Sequence, residues 1–255
     1  MNKKSFYEVK IPEEAMNIYL KSHQNLYDDI KVFTIKKILN HFYKNFSGLE
    51  ILEIGSAGGI WTKYFLEKGA MVTCVEIFEP ILKANQKQNP EASFVLGDAT
   101  DIKINKKFDF IFVKDVIEHI KEDEKFLSNM NDHLKSNGLI LINTQNNFSV
   151  NYLIQKSYHL LKRDKNWFGW DPTHLRFYNP ISLKRKLNLA GLKPLKWFSS
   201  YYFPYRILAE RLKMDKIQKI FCLIELINLY NKFPFSLIGW SLGVIAKKSN
   251  LKYER

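Results

Sequence analysis

Residues 49–61 read LEILEIGSAGGIW: a short apolar run, a cluster of small residues, then the start of a helical pattern. The run at 49–54 suits a buried strand, because branched apolar side chains pack well on a pleated surface. Apolar periodicity resumes at 60–68 and Gly69 closes that helix. A strand, a glycine-rich bend and a helix in succession open a βαβ unit.

Outward from this stretch the alternation repeats. Strands are expected at 71–77 (MVTCVEI), 92–97 (ASFVLG), 108–113 (FDFIFV) and 138–144 (GLILINT), the last opened by an Asn137-Gly138 turn. Helices are expected at 80–88 and 122–134, with Phe126, Met130 and Leu134 sharing one face of the second. Such alternation predicts right-handed crossovers and a mostly parallel sheet, an α/β fold. Upstream, Ile30, Phe33, Ile38, Phe42 and Phe46 recur at helical spacing, so the N-terminal 46 residues read as helical until Gly48. Downstream, 148–161 reads as helical and 163–179 as a polar and aromatic loop. Asn179 and Pro180 are the residue types of an N-cap and a first helical position, and Gly191 ends that helix. Late strands at 194–203 and 236–248 bracket an amphipathic helical insertion at about 205–231. The expected division is an N-terminal extension, 1–47, and one domain, 48–255.

A length of 255 residues accommodates one large α/β domain, since single cores stop growing near roughly 250–300 residues. The two cysteines, Cys74 and Cys222, show neither CxxC nor His-cluster spacing, which argues against a disulfide frame or structural zinc. The opening residues MNKKSFYEVK lack the apolar core of a secretory leader. The longest uncharged apolar stretch in the C-terminal part, 233–246, contains Pro234 and two glycines and falls short of the about 20 residues a spanning helix needs. A cytoplasmic protein is expected. The net charge of +13 is uneven: residues 1–150 carry 19 Lys and Arg against 20 Asp and Glu, whereas 151–255 carry 20 against 6. An anionic partner and a solvated lysine-rich face both account for this.

The chemistry concentrates in the bend. Ligands of open α/β sheets bind above the carboxyl ends of the strands, and small residues there admit a ligand close to the backbone. A dinucleotide fingerprint, Gly-x-Gly-x-x-Gly/Ala, would fall on Gly55, Ala57 and Ile60, and Ile60 breaks it. The pattern Glu-x-Gly-x-Gly-x-Gly instead matches Glu53, Gly55 and Gly59, departing only at Ala57. The second strand ends at Glu76, 23 residues beyond Glu53, where a carboxylate can accept from both hydroxyls of a ribose. The third ends in Gly97-Asp98-Ala99, where an acidic side chain can accept from an adenine amine.

With these features on successive strand ends, the sequence resembles the class I S-adenosylmethionine-dependent methyltransferases, well over about 48–147 and more loosely through 171–248. The resemblance implies a Rossmann-like, seven-stranded, mostly parallel sheet with helices on both faces and an antiparallel hairpin edge formed by 194–203 and 236–248. It implies that the bend (Glu53, Gly55, Ser56, Ala57 and Gly59) together with Asp115 lines the cofactor, that Glu76 holds the ribose, and that Asp98 with Ala99 holds the adenine.

The fourth strand is followed by Lys114-Asp115-Val116-Ile117-Glu118-His119, which would face the reacting methyl. His119 can serve as a base, its ordinary pKa of about 6.5 being near working pH, or it can simply shape the loop. Asp115-x-x-Glu118-His119 is similar to a segment of ubiquinone-pathway O-methyltransferases where a divalent cation is implied. The same segment is widespread without a metal, and no metal is expected here. Asp171-Pro-Thr-His174-Leu-Arg176-Phe-Tyr178 resembles a stretch that precedes the late helix in small-molecule methyltransferases. There His174 is a candidate catalytic residue and Arg176 a candidate for binding an anionic acceptor. Trp167, Phe168 and Trp170 either cover a flat substrate or bury the loop. In 205–231, Ile207, Leu208, Leu212, Ile217, Ile220, Phe221, Ile224 and Ile227 alternate with Arg206, Arg211, Lys213, Lys216 and Lys219, which suits either a packed lid or peripheral membrane contact.

The expected activity is methyl transfer to a small-molecule acceptor, O-directed before N- or C-directed: a quinone or lipid precursor, a glycan sugar or a secondary metabolite. The alternatives are an NAD(P)-dependent oxidoreductase, an RNA methyltransferase and a non-catalytic cofactor-binding protein. No separate RNA-binding module is visible, so nucleic acid is not an expected partner.

Overall fold

The computed structural model describes residues 26–164, 167, 171, 173–203 and 230–249. Elements follow in the order α1 (Leu26–Phe42), β1 (Glu50–Ile54), α2 (Ile60–Glu67), β2 (Met71–Glu76), α3 (Glu79–Gln88), β3 (Ser93–Leu96), β4 (Phe108–Lys114), a 3-10 turn (Ile117–His119) and α4 (Asp123–His133). Then come β5 (Leu134–Gln145), α5 (Val150–Leu161), α6 (Pro180–Leu189), β6 (Leu192–Ser200), α7 (Phe235–Ile238) and β7 (Ser241–Lys248).

Among the described residues, seven strands form one sheet in the order β3-β2-β1-β4-β5-β7-β6. The first five are parallel, and β7 lies antiparallel between β5 and β6. The expected Rossmann-like architecture with its antiparallel edge is therefore present. Strand order reverses between β1 and β4, so the crevice of an open α/β sheet opens at the carboxyl ends of these two neighbours.

Period-two alternation divides the core. Leu52 and Ile54 of β1 and Ile111 and Val113 of β4 pack with Phe126 and Met130 of α4 and Leu183 and Leu187 of α6. Ile51, Phe110 and Phe112 point to the other face, against Trp61 and Phe65 of α2 and Ile35, Ile38 and Leu39 of α1. The Trp61 and Phe112 rings lie 4.9 Å apart and those of Phe65 and Phe112 5.3 Å apart. The N-terminal helix thus closes this sheet face. Of the expected stripe, Ile38 and Phe42 join the cluster from the helix and Phe46 from beyond its end, whereas Ile30 packs in a separate cluster and Phe33 in neither. Residues 1–25 of that expected helical stretch lie outside the described residues.

Three sequence expectations shift. β5 begins at Leu134, with Asn137 and Gly138 inside a register shift opposite Phe108 and Phe110 rather than in a turn preceding the strand. The strand expected at 236–248 begins only at Ser241, because Phe235–Ile238 winds into a helical turn ended by Gly239. β6 starts at Leu192, and Pro194, which has no amide to donate, lies at the register shift against β7. The late helix matches in detail: Asn179 and Ser182 form a reciprocal capping box with Pro180 in the first turn. The insertion expected at 205–231 lies outside the described residues except for Tyr230 and Asn231.

Candidate active site

The bend between β1 and α2 holds Gly55 at φ 69°, Ala57 at φ 46° and Gly59 at φ 79°. Gly55 adjoins the loop after β4, where an added Cβ would lie 2.5 Å from Val116 Cγ2. Gly59 faces inward, so that its Cβ would lie 2.2 Å from Asn85 Oδ1 of α3. Its smallness lets the bend seat against α3. Asn89 Nδ2 donates to the Gly59 carbonyl at 3.2 Å and to Asn85 Oδ1 at 2.7 Å. Asn85 Nδ2 donates to Thr62 Oγ1 at 2.9 Å, and Thr62 Oγ1 donates to Glu53 Oε2 at 2.6 Å. A buried polar chain therefore ties the bend to two helices.

Glu53 lies beneath the bend, not along it. It shares the strand face of Ile51 and is 2% exposed, so the expected contact with cofactor becomes support of the turn from below. Burial pushes its carboxyl up to about 8, against hydrogen bonds from Thr62 and Cys74. An acid whose folded pKa is raised holds a proton that the unfolded chain releases near 4.5, so its stabilising contribution is complete below that pH and is lost as pH climbs towards 8. Glu53→Gln is expected to remove this loss. In urea titrations, wild type should weaken relative to the variant between about pH 5 and 8, by on the order of a few kcal/mol. Parallel curves would show that Glu53 is charged in the folded protein.

The end of β2 meets the bend. Glu76 Oε2 accepts from Ala57 N at 3.4 Å, and Oε1 accepts from Ile77 N at 3.0 Å and Phe78 N at 3.4 Å. Burial raises the Glu76 pKa while these amides oppose the rise. Asp98, beyond β3, accepts from Thr100 N at 2.8 Å, and Ala99 is buried with its carbonyl bound by Asn129 Nδ2 at 3.0 Å. The expected ligand fits this rim on two counts. No side chain caps the N-terminus of α2, which leaves its first amides to a ligand. Ser56 Oγ, beside them in sequence, is buried with no hydrogen-bond partner.

At the other end of the crevice, beyond β4 and β5, Glu118, His119 and His174 come together across 56 residues of sequence. The two imidazole rings are 4.7 Å apart. Glu118 is fully buried, its Oε2 accepting from Thr144 Oγ1 at 2.9 Å and its carbonyl from Leu175 N at 2.9 Å. His119 Nδ1 lies 3.1 Å from Thr173 Oγ1, which donates to Asp171 at 2.5 Å. His174 Nε2 lies 3.3 Å from Gln145 Nε2. Burial lowers the His119 pKa against the pull of Asp171, and burial with the neighbouring His119 lowers His174 to about 4. Burial and then Asp115 push Glu118 up to about 8. At neutral pH both rings are uncharged and the Glu118 carboxyl holds its proton in most molecules.

Glu118, His119 and His174 place one ligand atom each within 4.8 Å, a spacing that a divalent cation could bridge. The Asp-x-x-Glu-His set read from sequence does not assemble, because Asp115 is engaged by Lys31 and Lys114. Arg176 is also committed: Nη1 pairs with Asp123 at 2.6 Å and Nη2 donates to the Lys121 carbonyl at 2.7 Å. It anchors the loop instead of reaching an acceptor. Trp167 stacks on His159 at 4.7 Å, while Phe168 and Trp170 lie outside the described residues.

Glu118 Oε1, Gln145 Oε1 and His174 Nδ1 are buried without a hydrogen-bond partner. Gln145 escaped the sequence analysis although it ends β5 as Glu76 ends β2, so the strand-end rule could have found it. Lys31, Asn85, Asn89 and Thr173 carry no pattern of their own, since each acquires its role only from a partner distant in sequence.

A family model described as a methyltransferase domain matches residues 29–196. The chain is 29% identical over 172 residues to the ubiquinone biosynthesis O-methyltransferase of Rickettsia canadensis, covering 63% of this chain and 69% of that one. Among solved structures, magnesium protoporphyrin IX methyltransferase from Synechocystis, with bound S-adenosylhomocysteine, superposes with a TM-score of 0.63 at 15% identity over 93% of this chain and 94% of that one. The Burkholderia thailandensis 1,6-didemethyltoxoflavin-N1-methyltransferase superposes with a TM-score of 0.57 at 16% identity over 93% and 87%.

Proposed function

We propose, from the premise that the chain belongs to the methyltransferase-domain family and takes its methyl group from S-adenosylmethionine, that it methylates an oxygen of a small-molecule acceptor held against Glu118, Gln145 and His174. The three partnerless atoms carry the proposal. Buried polar atoms are almost always paired, and three on groups gathered around His174, at the end of the crevice opposite the adenine rim, mark where a polar ligand belongs. In this assignment Gly55, Ser56 and Ala57 line the amino-acid end of the donor, Glu76 holds the ribose, and Asp98 with Ala99 meets the adenine. Gly59 and Glu53 hold the bend from behind.

The donor, when bound, supplies an electrophilic methyl on a sulfonium for in-line displacement. The chain contributes position and a proton acceptor. His119 is the base: with Nδ1 turned to the Thr173 hydroxyl, which itself leans on Asp171, its ring orientation is fixed. A neutral ring at pH 7 is the form that takes a proton. No metal takes part in this scheme. The acceptor belongs to the quinone or lipid precursors, glycan sugars or secondary metabolites, and the Rickettsia relative's name favours the first. Exposed Leu153, Ile154, Leu160 and Leu161 on α5 favour an apolar body for that acceptor, and peripheral membrane contact through 205–231 would suit it. No helix of the described residues is long and apolar enough to cross a membrane. The division into an extension, 1–47, and a domain, 48–255, belongs to the same proposal, with α1 as a wall of the site.

Calorimetry with S-adenosylhomocysteine and with NAD tests the donor site. Wild type should bind the first and not the second. Glu76→Ala should weaken S-adenosylhomocysteine about tenfold to a hundredfold, the loss expected when charge-assisted bonds to two hydroxyls go. Undiminished affinity in the variant would remove Glu76 from the site.

A further inference from the structure

Asp171, Thr173 and His119 form a chain of hydrogen bonds whose direction is chemically fixed. Asp171 Oδ1 accepts from Thr173 N at 2.8 Å and from Thr173 Oγ1 at 2.5 Å. A carboxylate only accepts, so the one hydroxyl proton of Thr173 is directed at Asp171. Thr173 Oγ1 therefore presents lone pairs to His119 Nδ1, 3.1 Å away. The Thr173 carbonyl, 3.4 Å from the same nitrogen, is likewise an acceptor. Two acceptors facing Nδ1 require a proton there, and a neutral ring then keeps its lone pair on Nε2. The ordinary imidazole pKa of about 6.5 already makes such a ring mostly neutral above pH 7.

The loop is held in place for this contact. Leu175 N donates to the Glu118 carbonyl at 2.9 Å, which ties the loop to the 3-10 turn carrying His119. Thr173 is 9% exposed, so water competes little for its hydroxyl. His174, whose ring lies 4.7 Å from that of His119, differs in this respect. Its Nδ1 is buried without a hydrogen-bond partner, and its Nε2 faces both Asp171 Oδ2 at 3.7 Å and Gln145 Nε2 at 3.3 Å. Of the two imidazoles, His119 is the one whose tautomer is set through Nδ1.

We infer that Asp171 is a positioning residue for proton transfer: through Thr173 it keeps the His119 proton on Nδ1 and makes Nε2 the atom that takes the proton of the methyl acceptor. This rests on the proposal that His119 is the base. As the acceptor oxygen bonds to the methyl carbon, its proton passes to Nε2 and the O–H pair stays on oxygen. The sulfur–methyl bond breaks with its pair left on sulfur. The imidazolium so formed donates through Nδ1 to Thr173, and the Asp171 carboxylate beyond it offsets the new charge.

Imidazole nitrogen NMR on the full chain, at about pH 8 where an ordinary histidine is neutral, reads the tautomer, with His119→Gln identifying the signal. Wild type should carry the His119 proton on Nδ1. Thr173→Val keeps the shape and loses the hydroxyl, and should move the tautomer ratio about threefold to tenfold towards Nε2–H, the worth of one hydrogen bond. Thr173→Ser should restore it. Asp171→Ala should act like Thr173→Val, because the released hydroxyl can turn its proton to Nδ1. Asp171→Asn should keep the wild-type ratio, since an amide oxygen can stand where Oδ1 does. Should Thr173→Val fail to give a cooperative melt, Thr173→Ala undergoes the same comparison. An Nε2–H ring in wild type, or a ratio that either Thr173→Val or Asp171→Ala leaves unchanged, overturns the inference. Failure of wild type to bind S-adenosylhomocysteine would overturn the donor site and leave the tautomer standing, a distinct result.

Discussion

Gly59→Ala should lower stability by about 3 kcal/mol and S-adenosylhomocysteine affinity at least tenfold. Two costs add. A side chain at φ 79° forfeits about 1 kcal/mol. The new methyl would also stand 2.2 Å from Asn85 Oδ1 and 2.4 Å from Asn89 Nδ2, so both amides must move. Displacing them breaks the buried chain that runs from the Gly59 carbonyl to Glu53, and each buried group left unpaired costs about 1–3 kcal/mol. Because that chain seats the bend, its backbone should shift where the donor approaches. Gly48→Ala provides the control: Gly48 has φ 74° but nothing within 4 Å of an added Cβ. It should lose only the strain of about 1 kcal/mol, with donor binding intact. Urea titration and calorimetry on both variants decide the matter, and equal behaviour would falsify the assigned role of the asparagines.

Asp123→Ala should lower the melting temperature by about 10 °C and remove most activity. Asp123 is 3% exposed and receives Arg176 at 2.6 Å, Lys186 at 2.9 Å and the Tyr178 hydroxyl at 2.7 Å. Removing one partner of a buried ion pair typically costs about 3–5 kcal/mol, since the other charge stays behind. The lower end applies, because Lys186 keeps Glu124 at 3.1 Å and Arg176 keeps the Lys121 carbonyl. At about 2–4 °C per kcal/mol for a chain of this size, some 10 °C follows. Activity suffers through geometry: Arg176 and Tyr178, just after His174, tie to Asp123 the segment that brings His174 to His119. Adding Arg176→Met to Asp123→Ala should recover part of the melting temperature by deleting the stranded cation. A double variant no more stable than Asp123→Ala would show that the cluster is not coupled.

The legible part of the fold shares one property. The strand at 49–54, the bend and the N-cap at Asn179 are each specified within a few residues, by alternation, small size or a local hydrogen bond. The strand expected at 236–248 lost its first residues for the complementary reason. Phe235–Ile238 is apolar enough to read as strand, yet the chain winds there to reach the slot between β5 and β6. Periodicity reports what a segment buries, not where a sheet edge begins.

The candidate site divides the same way. Glu76 and Asp98 could be placed by spacing because strand ends in a parallel sheet align whatever lies between them. Spacing could not reveal the pairing of Arg176, because a guanidinium near an active-site loop looks identical in sequence whether it awaits an anion or already holds Asp123. Glu53 was set along the bend although its strand face turns it beneath.

By itself, the sequence determined the α/β class, the glycine bend and the carboxylates at the ends of the second and third strands, all of which follow from local periodicity and backbone sterics. Only the tertiary structure decided that Lys31 meets Asp115, that His119 meets His174, and that Asn85 and Asn89 hold the bend. These contacts form between elements far apart in the chain. Burial then sets their charge states, through a loss of water that no single segment can encode.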